Sequence, residues 1–140
     1  MFSTYSFTDT ILILSHPSVG QKTFNGKGLG SVTLSFANDI SSHDVAADGS
    51  VMVSKQITKN GTMAIAIQQT SDAQAWLKKW VDYLAIAPTA EFAETSGVLK
   101  NLSTGENFTL NGITPQKKPD SSWQQTGQQV TWNLLVAEII

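Results

Sequence analysis

The chain has 140 residues with nine cations against eleven carboxylates, a net charge of −2, and only 14% charged residues against 41% hydrophobic ones, which fits one domain with one core. All nine cations are Lys, so the basic patch and the arginine forks of a duplex nucleic-acid binder are missing; without Cys there is no disulfide framework, thiolate nucleophile or Cys-based zinc site. Solubility rests instead on 15 Ser, 15 Thr, 10 Gln and 7 Asn, a third of the chain.

The opening Met1-Phe2-Ser3-Thr4-Tyr5-Ser6 lacks the basic and apolar blocks of an export signal. No apolar run approaches the roughly 18–20 residues of a membrane span. A soluble chain made and kept inside a cell is expected, or one exported by means the sequence does not show. Tyr5, Phe7, Ile11 and Ile13 then alternate with Ser6, Thr8 and Thr10, which reads as a first strand, until Leu12 and Leu14 make both faces apolar. His16-Pro17 reads as a turn at its end. Gly26-Lys27-Gly28-Leu29-Gly30 is a flexible connection rather than a phosphate loop, because a strand follows and a phosphate cradle opens a helix. In that strand Val32, Leu34 and Phe36 alternate with Ser31, Thr33 and Ser35.

Asp39, His43, Asp44 and Asp48 gather three carboxylates and an imidazole within ten residues. Oxygen ligands suit a divalent cation, but the spacing matches no metal loop, so a solvated loop is the reading and no metal is expected. Val51 and Val53 open a strand that reaches Ile57. Asn60-Gly61 follows, the dipeptide of a type I′ hairpin turn. Beyond it Met63, Ile65 and Ile67 alternate with Thr62, Ala64 and Ala66. Ser and Thr thus fill the outer faces of half-buried strands, where β-branched Thr is favoured.

One segment changes period. Ala73, Trp76, Leu77, Trp80, Val81 and Leu84 form a single stripe of a 3.6-residue helix. Thr70 or Ser71 caps its start, Asp72 suits its N-terminal dipole, and Pro88 stops it. Residues 72–86 give a helix of about 22 Å. Strands follow at Val98 to Leu102 and Phe108 to Leu110, joined by the turn Ser103-Thr104-Gly105-Glu106. Ile113 to Trp123, with Pro115 and Pro119, reads as a surface loop. Val130, Trp132, Leu134 and Val136 form the last strand. The chain then ends Ala137-Glu138-Ile139-Ile140, apolar on both faces; either this is a covered central strand or a neighbouring subunit covers it. The fold class is mainly β, a small β-sandwich or barrel of about seven or more strands in one domain over residues 1–140, with one helix packed on it.

No enzyme is expected and no cofactor is called for. There are two His, no Gly-x-Ser-x-Gly elbow, and nothing that brings two acids together. The three N-x-S/T sequons at Asn60, Asn101 and Asn107 are what chance predicts for a chain this rich in Ser and Thr.

The order of elements resembles a known family. Tyr5-Ser6-Phe7, Ala47-Asp48-Gly49, the turn at Asn60-Gly61, the strand Thr62-Met63-Ala64-Ile65-Ala66-Ile67 running through Thr70-Ser71-Asp72 into the helix, and the closing Val130-Thr131-Trp132-Asn133-Leu134 are similar to the tail tube proteins of contractile-tailed bacteriophages. The type VI secretion tube protein shares their fold. The resemblance implies six copies in a ring, strands joined into one inner barrel, and rings stacked into a virion tail tube that DNA traverses without specific binding. It implies sheath and baseplate proteins as partners, no membrane, and assembly in the bacterial host cytoplasm. On that reading Thr62, Ala64 and Ala66 line the lumen and the helix lies outside. Loop 38–50 (Asp39, His43, Asp44 and Asp48) and the tail 134–140 (Leu134, Val136, Ile139 and Ile140) are the candidate ring and subunit contacts. A tail terminator or baseplate component is a nearby alternative. From another class, a β-sandwich module binding carbohydrate or peptide would use the four Trp, although Trp76 and Trp80 belong to the helix stripe.

Overall fold

A computed structural model describes residues 2–26 and 28–140; Lys27, at the centre of the glycine-rich connection, lies outside them, as does Met1. Nine strands and one helix follow one another as β1 (Thr10–His16), β2 (Gly20–Phe24), β3 (Leu29–Phe36), β4 (Ser41–Val45), β5 (Val51–Lys55), β6 (Gly61–Gln68), α1 (Asp72–Ile86), β7 (Thr95–Asn101), β8 (Asn107–Pro115) and β9 (Gln129–Ile139). Seven strands form one antiparallel sheet in the order β2-β1-β7-β8-β9-β6-β3, and β4 and β5 form a separate two-stranded hairpin. The sheet is open, with β2 and β3 as its edges. It curls so that Phe36 at the β3 edge meets Phe108 of β8 with ring centroids 6.2 Å apart, a sandwich-like arrangement.

Alternation decides which side chains enter the core. In β6 Met63, Ile65 and Ile67 are buried, and in β9 Val130, Trp132, Leu134, Val136 and Ile139 join them. The apolar tail is therefore a central strand, held between β8 and β6. Between Leu110 and Ile113, and between Val136 and Ile139, two residues intervene instead of one. Against β7, where Thr95 and Ser96 pair with Ile113 and Asn111, Gly112 is the extra residue of a bulge, and it sits at φ +67, where a Cβ would meet that of Ala137 at 2.7 Å.

Helix α1 covers the core face. Ser71 caps it, accepting from the Ala73 N–H at 3.1 Å, and the expected stripe packs inward through Ala73, Leu77, Trp80 and Leu84. Trp76 stacks on Trp80 at 6.0 Å and makes a T-shaped contact with Phe24 on β2 at 6.2 Å. The buried polar groups are satisfied in pairs. Trp80 Nε1 donates to Thr95 Oγ1 at 2.9 Å and Trp132 Nε1 to Gln74 Oε1 at 2.7 Å. Among the described residues no helix is long and apolar enough to cross a membrane.

Four local expectations are corrected. Residues 7–9 form a 3-10 turn, with Ser6 as its cap, so the first strand begins only at Thr10 and its core side chains are Leu12 and Leu14. His16 is buried rather than a surface turn residue: Nδ1 accepts from the Ser18 N–H at 3.1 Å, which leaves Nε2 to donate to the Glu91 carbonyl at 3.0 Å. Asn60-Gly61 is not a hairpin turn, because β6 pairs with β3 and β9, and not with β5. Gly61 is needed for close approach instead, since a Cβ there would collide with the Ser35 carbonyl and Ile139. Finally, β8 runs on to Pro115, which the proline concealed because it lacks a ladder N–H.

Candidate functional site

The face of the sheet turned away from α1 has an unusual composition. Register aligns Ser31 with Ala66 and Thr131, Thr33 with Ala64 and Asn133, and Ser35 with Thr62 and Leu135 across β3, β6 and β9. These nine positions carry no charge. Their core-facing neighbours are Val32, Leu34, Met63, Ile65, Trp132 and Leu134, so strand alternation alone sorts the apolar residues inward and the hydroxyls and methyls outward. Thr62, Ala64 and Ala66 thus sit in the middle row of a smooth, small-residue surface. Their six companions were not singled out from the sequence. Each has the right parity, but nothing local says that β3, β6 and β9 lie side by side.

Strand β3 bounds this face. Among the described residues its only partner strand is β6, and Leu29–Phe36 contains neither a charge nor a proline, two of the devices that discourage a further strand from adding to an edge. The opposite edge, β2, is shorter and carries Lys22.

Residues expected as loop 38–50 contain a strand and the turn of a hairpin. Ser41–Val45 pairs with Val51–Lys55, and Ala46 to Ser50 make the turn through an Ala46 N–H to Ser50 carbonyl bond of 2.8 Å. All ten strand residues are exposed. Asp39 precedes this hairpin, His43 and Asp44 lie on β4, and Asp48 is in the turn. The Asp48 carboxylate accepts from Ser50 Oγ at 2.6 Å and from the Ser50 N–H at 3.0 Å, and these bonds hold its carboxyl below the usual range. Among the described residues no three His, Cys, Asp or Glu side chains come together to hold a metal ion.

The tail divides by parity. Leu134, Val136 and Ile139 are in the core, so they hold the protomer together and have no surface left for a neighbour. Leu135 and Ile140, 41% and 60% exposed, are what the tail offers outward. Of the four Trp, Trp80 and Trp132 are buried, Trp76 is half-buried, and Trp123 alone is well exposed. They form no stacking platform of the kind a sugar-binding module needs. The described residues present a smooth uncharged face, a free edge and an exposed hairpin.

No curated protein sequence matches the chain. In fold it is similar to a chain of the sheath–tube complex of the extracellular contractile injection system PVC in its extended state, with TM-score 0.59 and 9% identity over 98% of this chain and 90% of that one. It is also similar to a chain of the anti-feeding prophage tube-terminating cap, with TM-score 0.62 and 7% identity over 100% and 91%. A chain of the anti-feeding prophage baseplate matches with TM-score 0.60 and 8% identity over 100% and 96%. The family model for the bacteriophage PhiTE tail tube protein covers residues 2–140. The chain belongs to that phage tail tube family.

Proposed function

We propose that six copies of this chain close into a ring and that rings stack into the tail tube of a contractile-tailed virion, a non-enzymatic conduit for DNA ejection assembled in the host cytoplasm. The observation that carries this reading is the uncharged face of β3, β6 and β9 ending at an uncharged edge strand. An edge of that kind favours pairing with a neighbouring copy, which extends the face around a ring. Turned inward, it forms a lumen wall of Thr62, Ala64, Ala66 and their companions. Such a wall has no cation to hold phosphates by counterion release and no carboxylate to repel them. Helix α1, on the other side of the sheet, then lies outward.

Asp39 just before the hairpin, His43, Asp44 and Asp48 on it, and Ile140 of the tail serve contacts between subunits and rings. Sheath and baseplate proteins are the partners; the sheath–tube, cap and baseplate assemblies of its structural neighbours support this. Electron microscopy of the concentrated protein at low and moderate salt tests the reading. Hexameric rings or hollow tubes are expected. Monomers at every concentration, even after seeding with tail fragments, would overturn it.

A further inference from the structure

Loop 116–128, between β8 and β9, lies against α1 and is tied down along its length. At its start the Gln116 N–H donates to the Asn133 carbonyl at 3.1 Å, and Lys118 pairs with Asp82 of α1 at 2.6 Å. Farther on, Gln69 Nε2 donates to the Ser122 carbonyl at 2.6 Å, and the Gln128 N–H donates to Gln69 Oε1 at 3.3 Å. Between this loop and the helix is a cleft of about 240 Å³, with Val130 and Trp132 of β9 in its lining. Pockets for drug-sized ligands run to about 300–1,000 Å³, so this one is on the scale of a single side chain of a partner with its peptide group.

Two features of the cleft ask for an occupant. Gln74 is only 6% exposed, and its amide cannot turn over. The Trp132 indole N–H, which can only donate, takes Oε1 at 2.7 Å, so Nε2 faces the other way. That nitrogen donates to nothing among the described residues, yet it is not sealed in, and it opens on the cleft that Gln74 lines. A donor so nearly buried is completed by a carbonyl oxygen. Lys78, one turn farther along α1, brings a second donor to the same wall. The loop wall carries Asp120 and Trp123. Among the described residues Asp120 forms no ion pair, and the Trp123 indole is 82% exposed. A carboxylate and an open indole face together suit a planar cation, which takes the first through forked hydrogen bonds and the second by stacking.

We propose that this cleft binds an arginine of a second protein, with the guanidinium at Asp120 and Trp123 and the adjoining backbone carbonyl at Gln74 Nε2 and Lys78. The chain has no Arg, so the occupant is not another copy. The cleft lies on the α1 side of the sheet, away from the uncharged face, and the inference stands whether or not copies assemble into tubes.

The probe is N-acetyl-argininamide, titrated into the purified protein while NMR follows the indole N–H signals of Trp123 and Trp132. Both signals should move together, with a dissociation constant in the millimolar range for so small a ligand. Trp123→Ala and Asp120→Asn lie on the exposed loop and should keep the fold, checked by circular dichroism. Each should weaken binding about fivefold or more, and Trp123→Phe should recover part of the loss. Butylguanidinium, which keeps the cation and lacks the carbonyl, should bind about fivefold more weakly than the probe. N-acetyl-lysinamide, with a point charge in place of the fork, should also bind more weakly. A Trp132 signal that stays still at saturating probe, or affinity unchanged in both loop variants, would overturn the site. Equal affinity for butylguanidinium would overturn the carbonyl contact at Gln74. N-acetylglucosamine moving the same signals at lower concentration than the arginine probe would assign the cleft to a sugar and overturn the proposal.

Discussion

Gln74 is a polar residue on the apolar stripe of α1, and the reason is a single atom of β9. Its Oε1 accepts from Trp132 Nε1 at 2.7 Å within the core. Gln74→Leu leaves that indole N–H buried without a partner and should lower stability by about 1–3 kcal/mol, read from a urea midpoint. Trp132→Phe added to Gln74→Leu should recover part of the loss, because the orphaned donor is gone. Asp48 carries a pH dependence of definite sign. Its carboxyl is held below the usual range by Ser50, so its contribution to the turn is complete above the unfolded carboxylate value of about 4. That contribution is lost as pH falls through the depressed value. Amide exchange at Ser50 should accelerate in acid relative to its intrinsic rate, and Asp48→Asn should abolish the change.

At the scale of elements, β9 separates folding from assembly by parity. Ile139 is buried and presses on Gly61, while its neighbour Ile140 is exposed. Ile139→Asp buries a carboxyl without a partner and should unfold the monomer outright, measured by circular dichroism. Ile140→Asp should leave the monomer fold intact and reduce assembly seen by sedimentation; normal tubes from it would remove the tail from the contact set. The edge strand β3 behaves in the same divided way. Thr33 lies on this edge strand with its side chain on the uncharged face, so Thr33→Lys places on the strand the charge that natural edges use against strand addition. Folded monomers that no longer form rings are the expected product.

For the whole molecule the decisive property is where charge is absent. The nine outward positions of β3, β6 and β9 are neutral, and a ring repeats each of them in every subunit. Ala64→Lys would turn one neutral row into a ring of cations. Tubes should still form, because the position lies outside the core, but they should retain DNA in a salt-dependent manner. Virions carrying the change should eject more slowly at low ionic strength. Ejection unchanged at every salt concentration would argue that this face does not line the lumen.

The sequence by itself determined the elements whose signal is local. Helix 72–86 was legible to the residue, because a 3.6-residue stripe, a Ser cap and a stopping proline all act within one stretch of chain. The turn at Ser103 to Glu106 was legible for the same reason. So was the outward parity of Thr62, Ala64 and Ala66, since strand alternation needs no partner to be read. Only the tertiary structure decided which strands are neighbours. Asn60-Gly61 carries the dipeptide of a hairpin, yet β6 pairs with β3 and β9, partners about 30 and 70 residues away in the chain, and Gly61 serves a close approach to Ser35. The tail showed two apolar faces and thus admitted two readings until β8 and β6 enclosed it. The three-strand face and the cleft between α1 and loop 116–128 exist only once those distant segments meet. Pairing is fixed by contacts formed across the folded molecule, and no window of sequence contains both sides of them.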